Sequence, residues 1–119
     1  MSKMTIEFWQ YLDTLAAGSR KVVDRPKGSS HPRFPGQVYP VDYGYLEGTT
    51  SVDGGGLDIW IGSQAAESIT GILCTVDLLK RDGELKILFG CGLEDVELIL
   101  NFVNSHSMRA MYIPRHAGG

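Results

Sequence analysis

A chain of 119 residues with 43% hydrophobic and 21% charged residues has the length and composition of one globular domain, expected over residues 1–119, and leaves no room for a second of ordinary size. Its formal net charge of -3 excludes a broad basic surface for wrapping duplex nucleic acid, and its 15 glycines lack the every-third-residue spacing of collagen. Cys74 and Cys91 supply neither a disulfide framework nor a zinc knuckle, and read as reduced thiols packed on or near strands. The segment Met1-Ser2-Lys3-Met4-Thr5 has no basic stretch leading into an apolar core, and no later run approaches the ~20 apolar residues of a membrane span. The expected setting is cytoplasmic, with no membrane partner.

Phe8, Trp9, Leu12, Leu15 and Ala16 recur at helical spacing and predict an amphipathic helix from Ile6 to Ala16, with Thr5 available as cap and Gly18 as stop. Arg20 to Arg25 predicts a short strand closed by Pro26, and the Pro-, Gly- and Ser-rich stretch from Pro26 to Gly36 a surface loop. Val38, Tyr39, Tyr43 and Tyr45 suit a strand from Gln37 to Leu46, interrupted by Pro40. After a turn-rich segment, Leu57 to Ile61 predicts a strand with residues on alternate faces. Ser68 to Leu79 and Glu84 to Phe89 are strand-like, with Arg81-Asp82-Gly83 as the hairpin signal between them. Leu93, Val96, Ile99, Leu100 and Val103 then predict a second helix led by Glu94 and Asp95. Arg109, Tyr112, Arg115 and His116 read as an exposed basic tail, and His31, His106 and His116 as exposed side chains that bind nothing. Strands without intervening helices, followed by a helix, imply a mainly β chain of the α+β class: a small antiparallel barrel or sheet with N-terminal and C-terminal helices outside it.

The chemistry centres on four acids, Asp53, Asp58, Asp77 and Asp82. Asp58 and Asp77 interrupt apolar strands, where a buried charge without a partner is costly. Hard divalent cations such as Mg²⁺ take oxygen ligands of this kind. Asp82-Gly83 also suits a hairpin turn, Asp53 a glycine-rich turn, and Asp58 and Asp77 solvated faces of edge strands. Spacing by itself leaves all these readings open.

Three ordered segments carry a resemblance. Asp24-Arg25-Pro26-Lys27-Gly28-Ser29, Tyr39-Pro40-Val41-Asp42-Tyr43-Gly44-Tyr45 and Asp53-Gly54-Gly55-Gly56-Leu57-Asp58 resemble the soluble inorganic pyrophosphatases of the metal-dependent, barrel-forming family, in an abbreviated form. The resemblance implies a five-stranded antiparallel barrel of the oligonucleotide-binding type, a homo-oligomer, and Mg²⁺-dependent hydrolysis of pyrophosphate to two orthophosphates by metal-activated water, with Mn²⁺ as an alternative ion. It implies that Asp53, Asp58 and Asp82 hold the tightest metal, that Asp77 joins Asp82 on a further ion, and that Asp24 stands near the metals. Tyr43 and Tyr39 match tyrosines of the site. Such a reaction is an in-line phosphoryl transfer in which the protein mainly supplies position and positive charge. Lys27, Arg33 and Lys86 are the cationic candidates for phosphate, with Arg25 a further one.

The departures from the family pattern bear on catalysis. Its loop reads acidic-Gly-acidic-Pro-apolar-acidic, whereas Gly55 and Gly56 stand here for the second acid and the proline. That acid orients or deprotonates the attacking water in the family, and general-base help is worth about 10²–10⁴-fold in rate. Asp42 is a substitute base, and a protein that binds metal or phosphate with little turnover is the alternative. The family's loop lysine falls at Pro32, with Arg33 one place later, and its tyrosine-lysine pair after the last helix has no match. A third reading, a single-strand nucleic-acid binder stacking bases on Tyr39, Tyr43, Tyr45 and Trp60, is opposed by the acidic balance, so no nucleic-acid partner is expected.

Overall fold

Ser2 starts the first helix, its Oγ accepting the Thr5 backbone N–H at 3.1 Å. In the computed structural model, which describes residues 2–116, this helix, α1, spans Lys3–Ala17. It begins earlier than the apolar spacing suggests because Ser2, not Thr5, is the cap; Gly18 ends it as expected. Met1 and residues 117–119 lie outside the described part of the expected domain.

Six strands follow: β1 (Lys21–Arg25), β2 (Asp42–Leu46), β3 (Leu57–Ile61), β4 (Ile69–Asp77), β5 (Asp82–Phe89) and, after helix α2 (Leu93–Val103), β6 (Met108–Pro114). They form one sheet in the order β1-β2-β3-β5-β4-β6. Every pair is antiparallel except β3 with β5. The sheet is therefore six-stranded, mixed and open, with β1 and β6 at its edges, where the sequence led us to expect five antiparallel strands closed into a barrel. Two physical reasons account for the difference. The β4–β5 hairpin joins the sheet through its second strand, which makes β5 parallel to β3. The segment read as a basic tail is β6, which pairs with β4 from Gly71↔Pro114 to Asp77↔Met108.

Two further boundaries move. Asp82 and Gly83 pair with Asp77 and Val76, so the turn lies just before them, and Arg81 takes the left-handed φ of 57°. Between Val23 and Arg25 the β1–β2 register shifts by a bulge that leaves Asp24 as the extra residue. Beside it, Gly44 is required for packing: a Cβ there would stand 1.8 Å from the Val22 carbonyl oxygen.

Alternation along the strands divides the core between the two faces of the sheet. On one face Trp9, Leu12 and Ala16 of α1 pack against Leu46, Ile59, Ile72, Ile87 and Phe89. On the other, Val96, Ile99 and Val103 of α2 pack against Tyr39, Trp60, Leu73 and Leu88. The Asp95 carboxylate anchors the start of α2, accepting the backbone N–H of Gly92 at 3.1 Å and that of Ser63 at 3.0 Å. Asp13 of α1 and Arg115 beyond β6 form a two-armed ion pair, each contact 2.7 Å. Cys74 and Cys91 are free thiols. Burial, with Asp95 nearby, pushes Cys91 up to about 12, so it stays protonated. Among the described residues no helix is long and apolar enough to cross a membrane.

Candidate active site

The period of two that buries Trp60 and Leu88 against α2 places Tyr43, Asp58, Glu84 and Lys86 on the same face, toward the other end of their strands. Register then brings them together: Tyr45 lies opposite Asp58, Tyr43 opposite Trp60, and Ile59 opposite Ile87. Lys86 is the centre of the group and only 5% exposed. Its Nζ donates to Asp58 Oδ2 at 2.7 Å, to Tyr43 Oη at 2.9 Å and to Glu84 Oε2 at 3.0 Å. All three ammonium donors are thus used. Burial alone pulls the Lys86 ammonium toward neutrality, but the Tyr43 hydroxyl and the Asp58 carboxylate more than offset it, holding it charged. Burial raises the Tyr43 phenol, which stays protonated.

Two further acids, Asp77 and Asp53, are held by hydrogen bonds. Asp77 Oδ1 accepts from Ser107 Oγ at 2.7 Å and from the backbone N–H of Leu79 at 3.0 Å and Lys80 at 3.2 Å. The Ser107 and Lys80 hydrogen bonds hold its carboxyl below the usual range. Asp53 Oδ1 accepts from Ser51 Oγ and from the Gly55 N–H, which lowers its carboxyl in the same manner. The Asp24 and Asp82 carboxylates accept no hydrogen bond and make no ion pair among the described residues.

A cavity of about 380 Å³ gathers these groups between the sheet, the end of α2 and the loop after β1. Its acids are Asp24, Asp53, Asp58, Asp77, Asp82 and Glu84; its cations are Arg25, Arg33, Lys80 and Lys86. Tyr39 and Tyr43 also line it. Of the residues the sequence nominates, Asp42 and Lys27 do not line it. Asp42 Oδ1 instead accepts the Lys27 backbone N–H at 2.8 Å and fixes the start of the loop.

Sequence reading missed Glu84, Lys80 and the two histidines of the rim. His31 Nδ1 accepts the backbone N–H of Arg33 at 3.0 Å and of Phe34 at 3.2 Å, and the His106 ring stacks on Phe34 at 3.8 Å between centroids. Gln37 Nε2 donates to Ser105 Oγ at 3.0 Å, tying the same loop to the end of α2. Only the tertiary fold brings His31 and His106 to this rim. Glu84 carried a readable signal, since it alternates with Lys86 on one strand. Arg115, read from the sequence as part of an exposed basic tail, pairs with Asp13 at the far end of the sheet.

Whether these residues fit a resident divalent cation is decided by where their oxygens point. Among the described residues no three Asp, Glu, His or Cys side chains converge on a point that could hold a metal ion. Asp58 faces the Lys86 ammonium, Asp53 its own loop, and Asp77 both its own turn and Ser107. The residues do not fit a preformed Mg²⁺ cage of Asp53, Asp58 and Asp82, with or without Asp77 and Asp24.

The fold has solved counterparts. An inorganic pyrophosphatase from Coxiella burnetii superposes with a TM-score of 0.54 at 12% identity, covering 80% of this chain and 84% of that one. The inorganic pyrophosphatase from Helicobacter pylori superposes with a TM-score of 0.53 at 16% identity, covering 81% of this chain and 82% of that one. At these identities the likeness is one of fold. No protein-family model matches the chain, and no curated protein matches it in sequence.

Proposed function

We propose that the cavity binds pyrophosphate as its magnesium complex and hydrolyses it to two orthophosphates. The observation that carries this reading is the gathering of six carboxylates and four cations around one cavity, in a fold shared with solved inorganic pyrophosphatases. The charge balance selects the form of the substrate. With acids outnumbering cations, the lining repels a bare pyrophosphate anion and admits one already neutralised by Mg²⁺. Asp24 and Asp82, the carboxylates without partners among the described residues, are the groups free to meet the cation side of that complex. Arg33 and Lys80, which make no ion pair among the described residues, meet its phosphoryl oxygens.

In this reading water attacks one phosphorus in line, the bridging P–O bond breaks, the second phosphate leaves, and a carboxylate of the lining takes the proton from the water. Phosphate release from magnesium pyrophosphate tests it. Asp82→Asn is expected to lower kcat/KM by about 10²-fold or more. If the native chain releases no phosphate, hydrolysis is excluded.

Gly55 favours a second reading, binding with little turnover, because no acid stands at that place. The position can take one: its φ is ordinary, and a Cβ would meet only Asp53 Oδ1, at 3.4 Å. Gly55→Asp is expected to raise turnover by about 10²-fold if that reading holds. A native chain that is already fast, with no gain on substitution, overturns it.

A further inference from the structure

We infer that Lys86 is a tethered cation that takes the place of a resident metal ion at Asp58, so that the acidic floor of the cavity is neutralised from within the chain. Lysine is almost never fully buried unless paired, and this one is buried with two carboxylates and a phenol around it. The three contacts come from three strands: Asp58 on β3, Tyr43 on β2 and Glu84 on β5 itself. An ammonium with all donors used, fixed on a central strand, is a permanent structural charge and not a free arm waiting for a ligand.

A divalent cation placed on Asp58 would either sit against that ammonium, like charge on like charge, or expel it. Expulsion breaks the ion pair between Asp58 and a lysine buried inside the sheet, and the penalty for breaking a buried pair in this way is large. Covalent tethering removes the translational entropy that a soluble ion loses on binding, so the internal cation holds Asp58 at any ion concentration. The absence of a convergent carboxylate trio among the described residues is the expected consequence, since Asp58 and Glu84 are drawn toward Nζ. This inference does not depend on pyrophosphate being the substrate; it concerns the protein before any substrate binds.

Mn²⁺ binding to the full chain without substrate tests it, followed by electron paramagnetic resonance of the free ion and by the melting temperature. Asp58→Asn is expected to leave Mn²⁺ affinity unchanged. Lys86→Met is expected to raise that affinity about tenfold or more. Added Mn²⁺ should raise the melting temperature of Lys86→Met and not of the native chain. A native Mn²⁺ site that Asp58→Asn weakens about tenfold overturns the inference, as does Lys86→Met with unaltered or weaker affinity. If Lys86→Met does not fold, the comparison of the native chain with Asp58→Asn decides alone. Pyrophosphate is absent throughout, so failure here and failure of the hydrolytic reading are separate results.

Discussion

A lysine among carboxylates makes opposite demands on stability and on chemistry. Removing Lys86 leaves Asp58 and Glu84 facing each other inside the sheet, and losing one partner of such a group costs about 3–5 kcal/mol when burial is complete. Asp58 and Glu84 keep 31% and 21% of their side chains exposed, so urea unfolding of Lys86→Met is expected to show about 2–4 kcal/mol. Lys86→Met combined with Asp58→Asn is expected to recover part of that loss, a non-additivity that marks direct coupling. The glycines of the same region respond differently. Gly56→Pro brings a Cβ to 2.8 Å from the Leu46 carbonyl oxygen and 2.9 Å from Tyr45 Cδ2, so a proline cannot be placed there without shifting β2. The expected result is a lowered melting temperature, in contrast to Gly55→Asp, which should melt near the native value.

Elements whose signal is local were legible, and those set by distant partners were not. Leu57–Ile61 and Leu93–Val103 were readable because their apolar periods are complete within the segment. The last strand was hidden by its charges: Arg109 and Met111 point away from α2, while Met108, Ala110 and Tyr112 pack on it, a period of two that reads as a tail when its partner strand is unknown. Ten of the nominated site residues reach the cavity because they lie on one face or on the loops above it. The bond between Asp42 and the Lys27 backbone could not be read, since it depends on how the loop returns. Asn104 ties α2 to β6, donating to the Leu100 carbonyl at 2.9 Å and accepting the Ala110 N–H at 3.0 Å. Asn104→Ala is expected to cost about 1–2 kcal/mol in urea unfolding, because it leaves an amide without a partner. The loop over the cavity responds to pH. Burial first, then Arg25 and His106, hold His31 below its ordinary 6.5, and its Nδ1 is an acceptor. The folded chain therefore binds this proton less readily than the unfolded one. The stabilisation is complete above pH 6.5 and is lost as pH falls through the lower folded value. The native melting temperature should drop more than that of His31→Asn between neutral and mildly acid pH.

At the scale of the whole molecule, one sheet carries a helix on each face, and the two faces differ in role. The α1 face is closed by apolar packing, whereas the α2 face gives way to the charged cavity beyond Trp60. The ion pair of Asp13 and Arg115 joins residues 102 positions apart, with the guanidinium also 5.8 Å from the Trp9 ring centre. A contact that closes so long a loop forms only after the sheet that brings its ends together is built, because the entropy of closure must first be met by other interactions. Its stabilisation should therefore be missing from the folding transition state. Stopped-flow kinetics are expected to show Arg115→Ala unfolding about threefold to fivefold faster, with refolding nearly unchanged. A slowed refolding arm would place the contact in the nucleus instead. The joined ends thus govern how long the native state lasts once formed, not how quickly it forms.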